Sequence, residues 1–302
     1  MWRGILLLLF FFSVFCVQIY AEEIPVTEEW DSVSIGPATT WTAPTCAKGE
    51  FLVQPFFFYH RIRGTFNTEG HYDSLPPGDK QSQYQELLFM QYGLTERLEV
   101  AGQLTYQQNF IKEAGLKAHS RGLGDTYLFL RYCLWEEENT LPHLTGLFQL
   151  KIPAGKYQKA DAAKLGTDLM GDGSYDHGYG IILTKRVKPF IIHADLIYSF
   201  PIERKIDGSK IQYARYLSYD FGLEYFLPRG FNLLLELNGF LQGDQKENGA
   251  KIPASDSGSL AIACGIGWSG DKIQALLAYQ RALTGTNTEA NDSAVLTFAY
   301  TF

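Results

Sequence analysis

The last ten residues of the chain, Ser293 to Phe302, read SAVLTFAYTF. Every second residue from Ala294 to Phe302 is apolar, and the residues that alternate with them are Ser293, Val295, Thr297, Ala299 and Thr301. A period of two is typical of a β-strand whose two faces meet different surroundings. A bilayer offers no water to backbone amides, so a sheet can cross it only when it closes and turns an apolar face to lipid. The segment therefore predicts the closing strand of an outer-membrane β-barrel, and a strand of a soluble sandwich is the alternative.

Alternating segments of similar length repeat from residue 49 to the end of the chain. We predict an all-β fold, a closed antiparallel transmembrane β-barrel of about twelve strands, a number that is good to about two. The predicted strands begin near Glu50, Gln83, Leu98, Gly124, His143, Ser174, Pro189, Arg215, Gly230, Ser259, Lys272 and Ser293.

The connections between these segments alternate strictly in length. Five are short, at residues 95–97, 136–142, 185–188, 228–229 and 270–271, and six are long and polar, at residues 64–82, 108–122, 154–173, 201–212, 242–256 and 283–292. Tight periplasmic turns and long extracellular loops are the pattern of outer-membrane barrels, whereas a soluble sandwich has no reason to sort its loops. An even strand count also places both termini in the periplasm.

The two faces of the predicted strands separate by polarity. We expect one face to meet lipid, at Leu104, Leu130, Leu196, Leu223 and Leu235. The alternate residues include acids that a sandwich would have to bury in its shared core at a high cost. We therefore expect the polar face to line a wet lumen.

Ten polar or charged residues on the predicted inner face are the candidates for lining a pore: Glu99, Gln103, Asp125, Arg131, Lys151, Asp176, Asp195, Asp220, Glu224 and Glu236. Rings of charge set the selectivity of pores, but the same residues could instead form ion pairs that fill the interior. Seven acids against two bases favour cationic or neutral solutes over anions.

The start of the chain has the layout of a secretory signal peptide. Arg3 precedes an apolar run, and acidic residues follow Ala21, so we predict a signal peptide over residues 1–21. Cys16 follows Phe15, which does not fit a lipid-attachment site. Residues 22–48 are expected to form a soluble N-terminal periplasmic segment with no plug-like domain, and residues 49–302 the barrel.

The sequence does not carry the residue patterns of a disulfide framework, a metal site or a nucleic-acid interface. The three remaining cysteines, Cys46, Cys133 and Cys264, lie too far apart for a disulfide framework or a metal pair. A net charge of −7 without lysine or arginine runs gives no footprint for nucleic acid. Asp168 and Asp172 do not follow a calcium-loop spacing. We predict no cofactor and no metal site.

An enzymatic barrel is a competing class, for example one like the outer-membrane phospholipase A, which pairs a histidine with a serine two positions away. None of the six histidines has that serine, and the nearest pattern is His143-x-Thr145. A G-x-S-x-G motif is also absent. We therefore predict no catalytic residues.

Several glycine-rich motifs resemble one bacterial family. Gly122-Leu-Gly-Asp125 leads into the strand segment Tyr127–Tyr132, Lys151-Ile-Pro-Ala-Gly155 ends a strand, and Gly171-Asp-Gly-Ser174 opens the next. These motifs are similar to those of the outer-membrane transporters assigned to the MetA pathway of phenol degradation. The resemblance implies a barrel that takes up aromatic or other hydrophobic compounds.

Together these patterns predict an outer-membrane channel for passive passage of small solutes. Its expected partners are outer-membrane lipid, small solutes, and the barrel-assembly machinery through the terminal strand that ends at Phe302. A membrane-anchored enzyme, or a structural or adhesive surface protein that acts through its loops, is the alternative.

Overall fold

The structure is a computed structural model that describes residues 36–302. Within this range twelve long antiparallel strands form one closed sheet, because the last strand pairs with the first. The barrel strands, β1 to β12, are Phe51–Phe66, Lys80–Gly93, Leu98–Glu113, Thr126–Trp135, His143–Ile152, Asp176–Val187, Phe190–Pro201, Tyr216–Phe226, Phe231–Gln242, Ser257–Ser269, Ile273–Thr286 and Thr288–Thr301. The predicted closed barrel is confirmed, whereas the predicted signal peptide lies outside the described residues.

The alternation of apolar and polar residues sets the two faces of the barrel. Leu235 in β9 pairs directly with Leu223 in β8, and its side chain is 45% exposed on the outer wall. Its neighbour Glu236 is 0% exposed and points inward. Leu104, Leu130 and Leu196 are exposed in the same way. An outer wall of exposed leucines is stable only in lipid, so this face meets a membrane.

Exposed aromatic side chains gather at both ends of the outer wall. Tyr84 and Tyr198 lie toward the long loops, whereas Phe231 and Phe302 lie toward the short turns. Two aromatic girdles around an apolar band are the pattern of outer-membrane barrels, and the chain is placed in an outer membrane on this basis. Within residues 36–302, no helix has the length and hydropathy to cross a bilayer.

Five of the long connections carry structure of their own. The first contains the short strand Tyr72–Ser74, the second continues β3 as a hairpin with Leu116–Leu123, and the third contains a 3-10 helix at Ala162–Lys164. The fourth and fifth share a four-stranded sheet of Arg204–Ile206, Ser209–Gln212, Lys246–Glu247 and Ala250–Lys251. These connections therefore all lie at the same end of the barrel.

The sixth connection differs from the expectation of a long loop over residues 283–292. β11 continues to Thr286 and β12 begins at Thr288, so that only Asn287, with φ of 47°, joins them. Each strand keeps a partner on its other side: Thr284 pairs with β10, and Glu289 pairs with β1. Polar composition alone therefore indicated a loop where two outer partners extend the strands.

The N-terminal segment also differs from the expectation of a soluble periplasmic tail. Its described part, residues 36–48, lies inside the barrel, where Ala43 packs in one apolar cluster with Phe89, Ala101 and Phe129. The rest of the segment lies outside the described residues. The barrel is therefore occupied by its own chain, although the sequence showed no plug-like domain.

The assignment of the outer wall predicts that the cost of a charged side chain depends on its depth in the membrane. Leu235→Arg, near the middle of β9, should lower the free energy of unfolding by about 2–4 kcal/mol, because the guanidinium meets hydrocarbon. Leu241→Arg, on the same strand and face but at the loop end, should cost about 0–1 kcal/mol. Reversible urea unfolding in lipid vesicles measures both. Equal costs would mean that these leucines do not lie at different depths in a bilayer.

Candidate pore and its occluding segment

Residues 36–48, hereafter the lumen segment, are fixed at one end by a single carboxylate. Glu236 accepts the backbone amides of Ala38 at 2.6 Å, Thr39 at 3.1 Å and Thr40 at 3.0 Å. The hydroxyls of Thr39 and Thr40 donate to the same carboxylate at 3.0 and 2.9 Å. Five donors of the lumen segment therefore converge on one buried anion, which also accepts a hydrogen bond from Asn238 of the wall at 3.4 Å. Each hydrogen bond to a charged group contributes about 1.5–3 kcal/mol, so this is the strongest attachment of the segment.

Trp41 lies at the centre of the lumen segment. Its amide donates to Asp195 Oδ2 at 2.9 Å. Its indole meets Phe89 and Phe129 edge to face, with ring centroids 5.4 and 5.0 Å away. The Arg131 guanidinium lies 5.3 Å from the same ring. The lumen therefore holds an indole in a box of two aromatic edges and one cation.

Arg131 joins the barrel wall to the far end of the lumen segment. It pairs with Glu99 at 2.7 Å and donates to the carbonyl oxygens of Thr42 and, at 3.0 Å, of Pro44. Glu99 in turn accepts the amide of Cys46 at 2.7 Å. A buried ion pair gains stability when its other donors and acceptors are hydrogen-bonded, and here the segment supplies partners for one guanidinium nitrogen of Arg131 and one oxygen of Glu99.

Two inward-facing glycines make room for the lumen segment. A Cβ atom on Gly93 would lie 1.9 Å from the carbonyl oxygen of Ala47, and one on Gly222 would lie 2.8 Å from Pro37. Any side chain at Gly93 would therefore displace the backbone of the segment. The inner wall therefore matches the lumen segment in shape as well as in charge.

A hydroxyl, an imidazole and a carboxylate are linked beside the lumen segment. Thr184 Oγ1 lies 2.9 Å from His193 Nδ1, and His193 Nε2 lies 2.8 Å from Glu224. This is the order found in hydrolase triads. However, Thr184 is only 2% exposed, and its oxygen accepts the amide of Ala43 at 2.8 Å. The segment covers the hydroxyl, so the linkage serves as an anchor in this conformation.

The third loop, residues 153–175, folds back into the mouth of the barrel at the end where the long connections lie. Asp125 accepts the amides of Gly155 at 3.1 Å and Asp172 at 3.3 Å. Lys151 contacts Asp172 at 2.5 Å and Asp176 at 2.7 Å. Asp125 and Lys151 therefore fix this loop much as Glu236 and Arg131 fix the lumen segment.

The inner end of the third loop is buried against the wall of β3. Gln107 donates to the carbonyl oxygen of Met170 at 2.9 Å, and Asn109 donates to that of Thr167 at 3.0 Å. A cavity of about 270 Å³ remains beside this contact, with His60 and Gln83 on its opposite side. Open space therefore persists in the mouth, and its lining is polar.

At the exposed part of the third loop, Lys156 pairs with Asp168 and holds the pKa of that carboxyl below its usual value. The ionised form is the one that is stabilised, so this contact persists above the normal pKa of aspartate and weakens as the pH falls.

All ten pore-lining candidates lie on the inner face or at the loop mouth, and a role for them in conduction stays a prediction. Arg131 pairs with Glu99 and Lys151 pairs with Asp176, as an interior ion-pair network requires. Asp195 and Glu236 instead accept amide hydrogens of the lumen segment. The acid excess is therefore satisfied in part by backbone donors.

The composition of the lumen segment differs from that of the residues before it. Residues 22–31 carry five acids, whereas residues 36–47 carry no charge. An uncharged stretch with Trp41 between Pro37 and Pro44 fits a packed environment better than a solvated tail. Its partners lie up to 198 residues away in the chain, so no local pattern could identify them.

Comparisons with known proteins agree with this architecture. The profile of the family described as "Putative MetA-pathway of phenol degradation" matches residues 70–298. Among solved structures, an outer membrane channel from Pseudomonas putida F1 superposes with a TM-score of 0.72, at 15% identity, over 89% of this chain and 100% of that chain. At this identity the likeness shows the fold alone.

Two further structures are more distant. The translocator domain of the autotransporter NalP from Neisseria meningitidis aligns over 85% of this chain and 90% of its own, at 12% identity and a TM-score of 0.46. The NanC porin aligns over 82% and 98%, at 8% identity and a TM-score of 0.47. No curated protein sequence matches the chain significantly.

The anchoring of the lumen segment can be measured at Cys46, which is buried in place. In a background with Cys133→Ala and Cys264→Ala, a water-soluble maleimide should label Cys46 at least about tenfold faster after Glu236→Gln, because one lost charge-assisted hydrogen bond is worth about 1.5–3 kcal/mol. Asp125→Asn makes the same chemical change at the third loop and should leave the rate unchanged. Equal acceleration by both variants would contradict a specific anchor at Glu236.

Proposed function

The chain belongs to the family of the MetA pathway of phenol degradation, and from this premise we propose that it is an outer-membrane channel for small solutes, closed by its lumen segment. The observation that carries the proposal is the attachment of residues 36–48 to wall carboxylates, chiefly Glu236 and Glu99. A barrel that only needed filling would close its interior with wall side chains. Here a separate segment of the chain, residues 36–48, occupies the path.

The contacts of the lumen segment are of a kind that water can replace. Its backbone amides donate to Glu236, Asp195 and Glu99, and each of these carboxylates is readily solvated once the lumen hydrates. Its apolar contacts are those of Trp41 and Ala43 with one cluster and of Ala38 with a second, which includes Leu234 and Leu276. Opening therefore exchanges hydrogen bonds for hydration instead of breaking a large apolar core.

We infer that the solutes include aromatic ones. Trp41 occupies a box formed by Phe89, Phe129 and Arg131, and departure of the segment would vacate it. A phenol-sized ring could make the same edge-to-face contacts, each worth about 0.5–1.5 kcal/mol. The family description, which names phenol degradation, agrees with this substrate class.

The terminal strand supports a further partner. Phe302 is 68% exposed on the outer wall, and its ring lies 5.7 Å from that of Phe51 at the seam between β12 and β1. We propose that the barrel-assembly machinery reads this exposed terminal aromatic before the seam closes. Phe302→Ala should reduce the amount of folded barrel in cells, and unchanged assembly would contradict the proposal.

Closure by the lumen segment predicts how often the channel opens in planar bilayers. The wild-type protein should open rarely, and Glu236→Gln should raise the open probability several-fold because it weakens the anchor of the lumen segment. Reversal potentials of the open state should show cation preference at about 0.01 M salt and little at about 1 M, where the Debye length falls from about 30 to about 3 Å. Absence of current from both proteins would overturn the channel.

The same open state gives a test of the lumen charges. Asp195 accepts the amide of Trp41, Asp220 accepts a hydrogen bond from Asn238, and Glu224 contacts His193. The combined change of the three acids to Asn, Asn and Gln should reduce the cation preference. Retention of the full preference would show that these acids do not line the path.

An aromatic solute should compete with Trp41 for its box. In the Cys133→Ala, Cys264→Ala background, phenol should therefore speed maleimide labelling of Cys46, whereas cyclohexanol, of similar size but without a π face, should not. Phe129→Leu should remove the difference between the two solutes. Equal effects of phenol and cyclohexanol would contradict aromatic recognition and leave the channel itself unaffected.

A further inference from the structure

A row of lysines crosses the outer wall of the barrel near the loop end. Lys80 in β2 lies directly opposite Lys112 in β3, and Lys112 lies directly opposite Lys117 on the returning strand Leu116–Leu123. Directly opposed residues of antiparallel strands point to the same face. Lys112 lies an even number of positions from Leu104, which is 46% exposed, so the row points outward.

Two arginines lie on the same outer face below this row. Arg61 is directly opposite Ser82, and Arg121 is directly opposite Gln108; both arginines are exposed. Among residues 36–302 no ion pair includes any of Lys80, Lys112, Lys117, Arg121 and Arg61, although Asp292, which pairs with Arg63 and Arg281, lies directly opposite Arg61. The five cations, hereafter the basic patch, are Arg61, Lys80, Lys112, Lys117 and Arg121.

Aromatic side chains fix the height of the basic patch in the membrane. Tyr84 meets Phe110 edge to face at 5.8 Å, and Phe110 stacks on His119 at 5.3 Å. Such a girdle marks the boundary between hydrocarbon and headgroups. Lys80 lies four residues beyond Tyr84, which is about 14 Å along the strand and about 10 Å across the membrane at the usual tilt. The patch therefore lies at the level of the lipid headgroups.

Like charges placed directly opposite one another destabilise a sheet. Three lysines in register without a carboxylate are therefore costly unless an anion lies among them. Because the side chains point away from the lumen, the anions nearest to them are those of the membrane headgroups. Phosphate groups suit both lysine and the forked guanidinium of arginine.

We propose that the basic patch binds a phosphorylated lipid of the outer leaflet. Its phosphates lie against the lysine row and Arg121, and its acyl chains run down the wall past the exposed Leu123 and Leu104. The site lies outside the lumen and does not depend on solute passage. It would tie the second loop hairpin to the membrane surface.

The test uses the full-length protein in detergent with defined lipids. Native mass spectrometry should show retention of bisphosphorylated lipid A and weaker retention of lipid A from which both phosphates have been removed. The double variant Lys112→Glu and Lys117→Glu should bind the phosphorylated lipid at least about tenfold more weakly, because each basic residue near an anionic surface contributes about 1 kcal/mol.

The matched control is Lys188→Glu with Lys272→Glu, which makes the same charge change on exposed residues of the short turns. It should bind like the wild-type protein, and heat-modifiable electrophoretic mobility should confirm that both double variants are folded. A large excess of inorganic phosphate should compete only weakly, since it lacks acyl chains. Equal retention of the two forms of lipid A, or equal weakening by both double variants, would overturn the proposal.

Discussion

The pairing of β12 with β1 is the contact on which the rest of the structure depends. It extends from Leu52 opposite Thr301 to Phe66 opposite Thr288 and leaves no edge strand in the ring. In hydrocarbon an open edge would expose unpaired amides, each at a cost of several kcal/mol. Closure removes that cost and simultaneously creates an enclosed interior. The alternation of side chains then decides what that interior contains.

An enclosed interior with charged walls creates a second requirement, because buried charges need partners. Arg131 and Lys151 satisfy Glu99 and Asp176, but Glu236 and Asp195 find their donors on the chain's own N-terminal residues. Backbone amides carry no net charge, so the segment satisfies hydrogen bonds without cancelling the acidic field of the lumen. Glu236 and Asp195 can therefore hold the segment in the closed state and contribute to cation selectivity in the open state.

The sequence predicts the wall of the barrel well, because a period of two persists over every spanning strand. The faces of Leu235 and Glu236 follow directly from that period, and the starts of most strands lie within three residues of their predicted positions. β11 and β12 separate close to the predicted bounds of the sixth connection, after Arg281 opposite Asp292. Within it, Thr284 and Glu289 are still in strands because they pair with β10 and β1, which a local pattern does not report. Tertiary pairing overrides local composition there.

The site was less predictable than the wall for a related reason. The inner carboxylates could be found by parity, but their partners are separated from them by 53 to 198 residues. What the parity rule does give is a radial order of charge: acids such as Glu236 and Asp195 point inward, whereas Lys80, Lys112 and Lys117 point outward near the loops. A net charge of −7 describes neither surface. The inner charges act on solutes and the outer charges on lipid. One layer of strands can carry both sets because neighbouring side chains on a strand point to opposite faces.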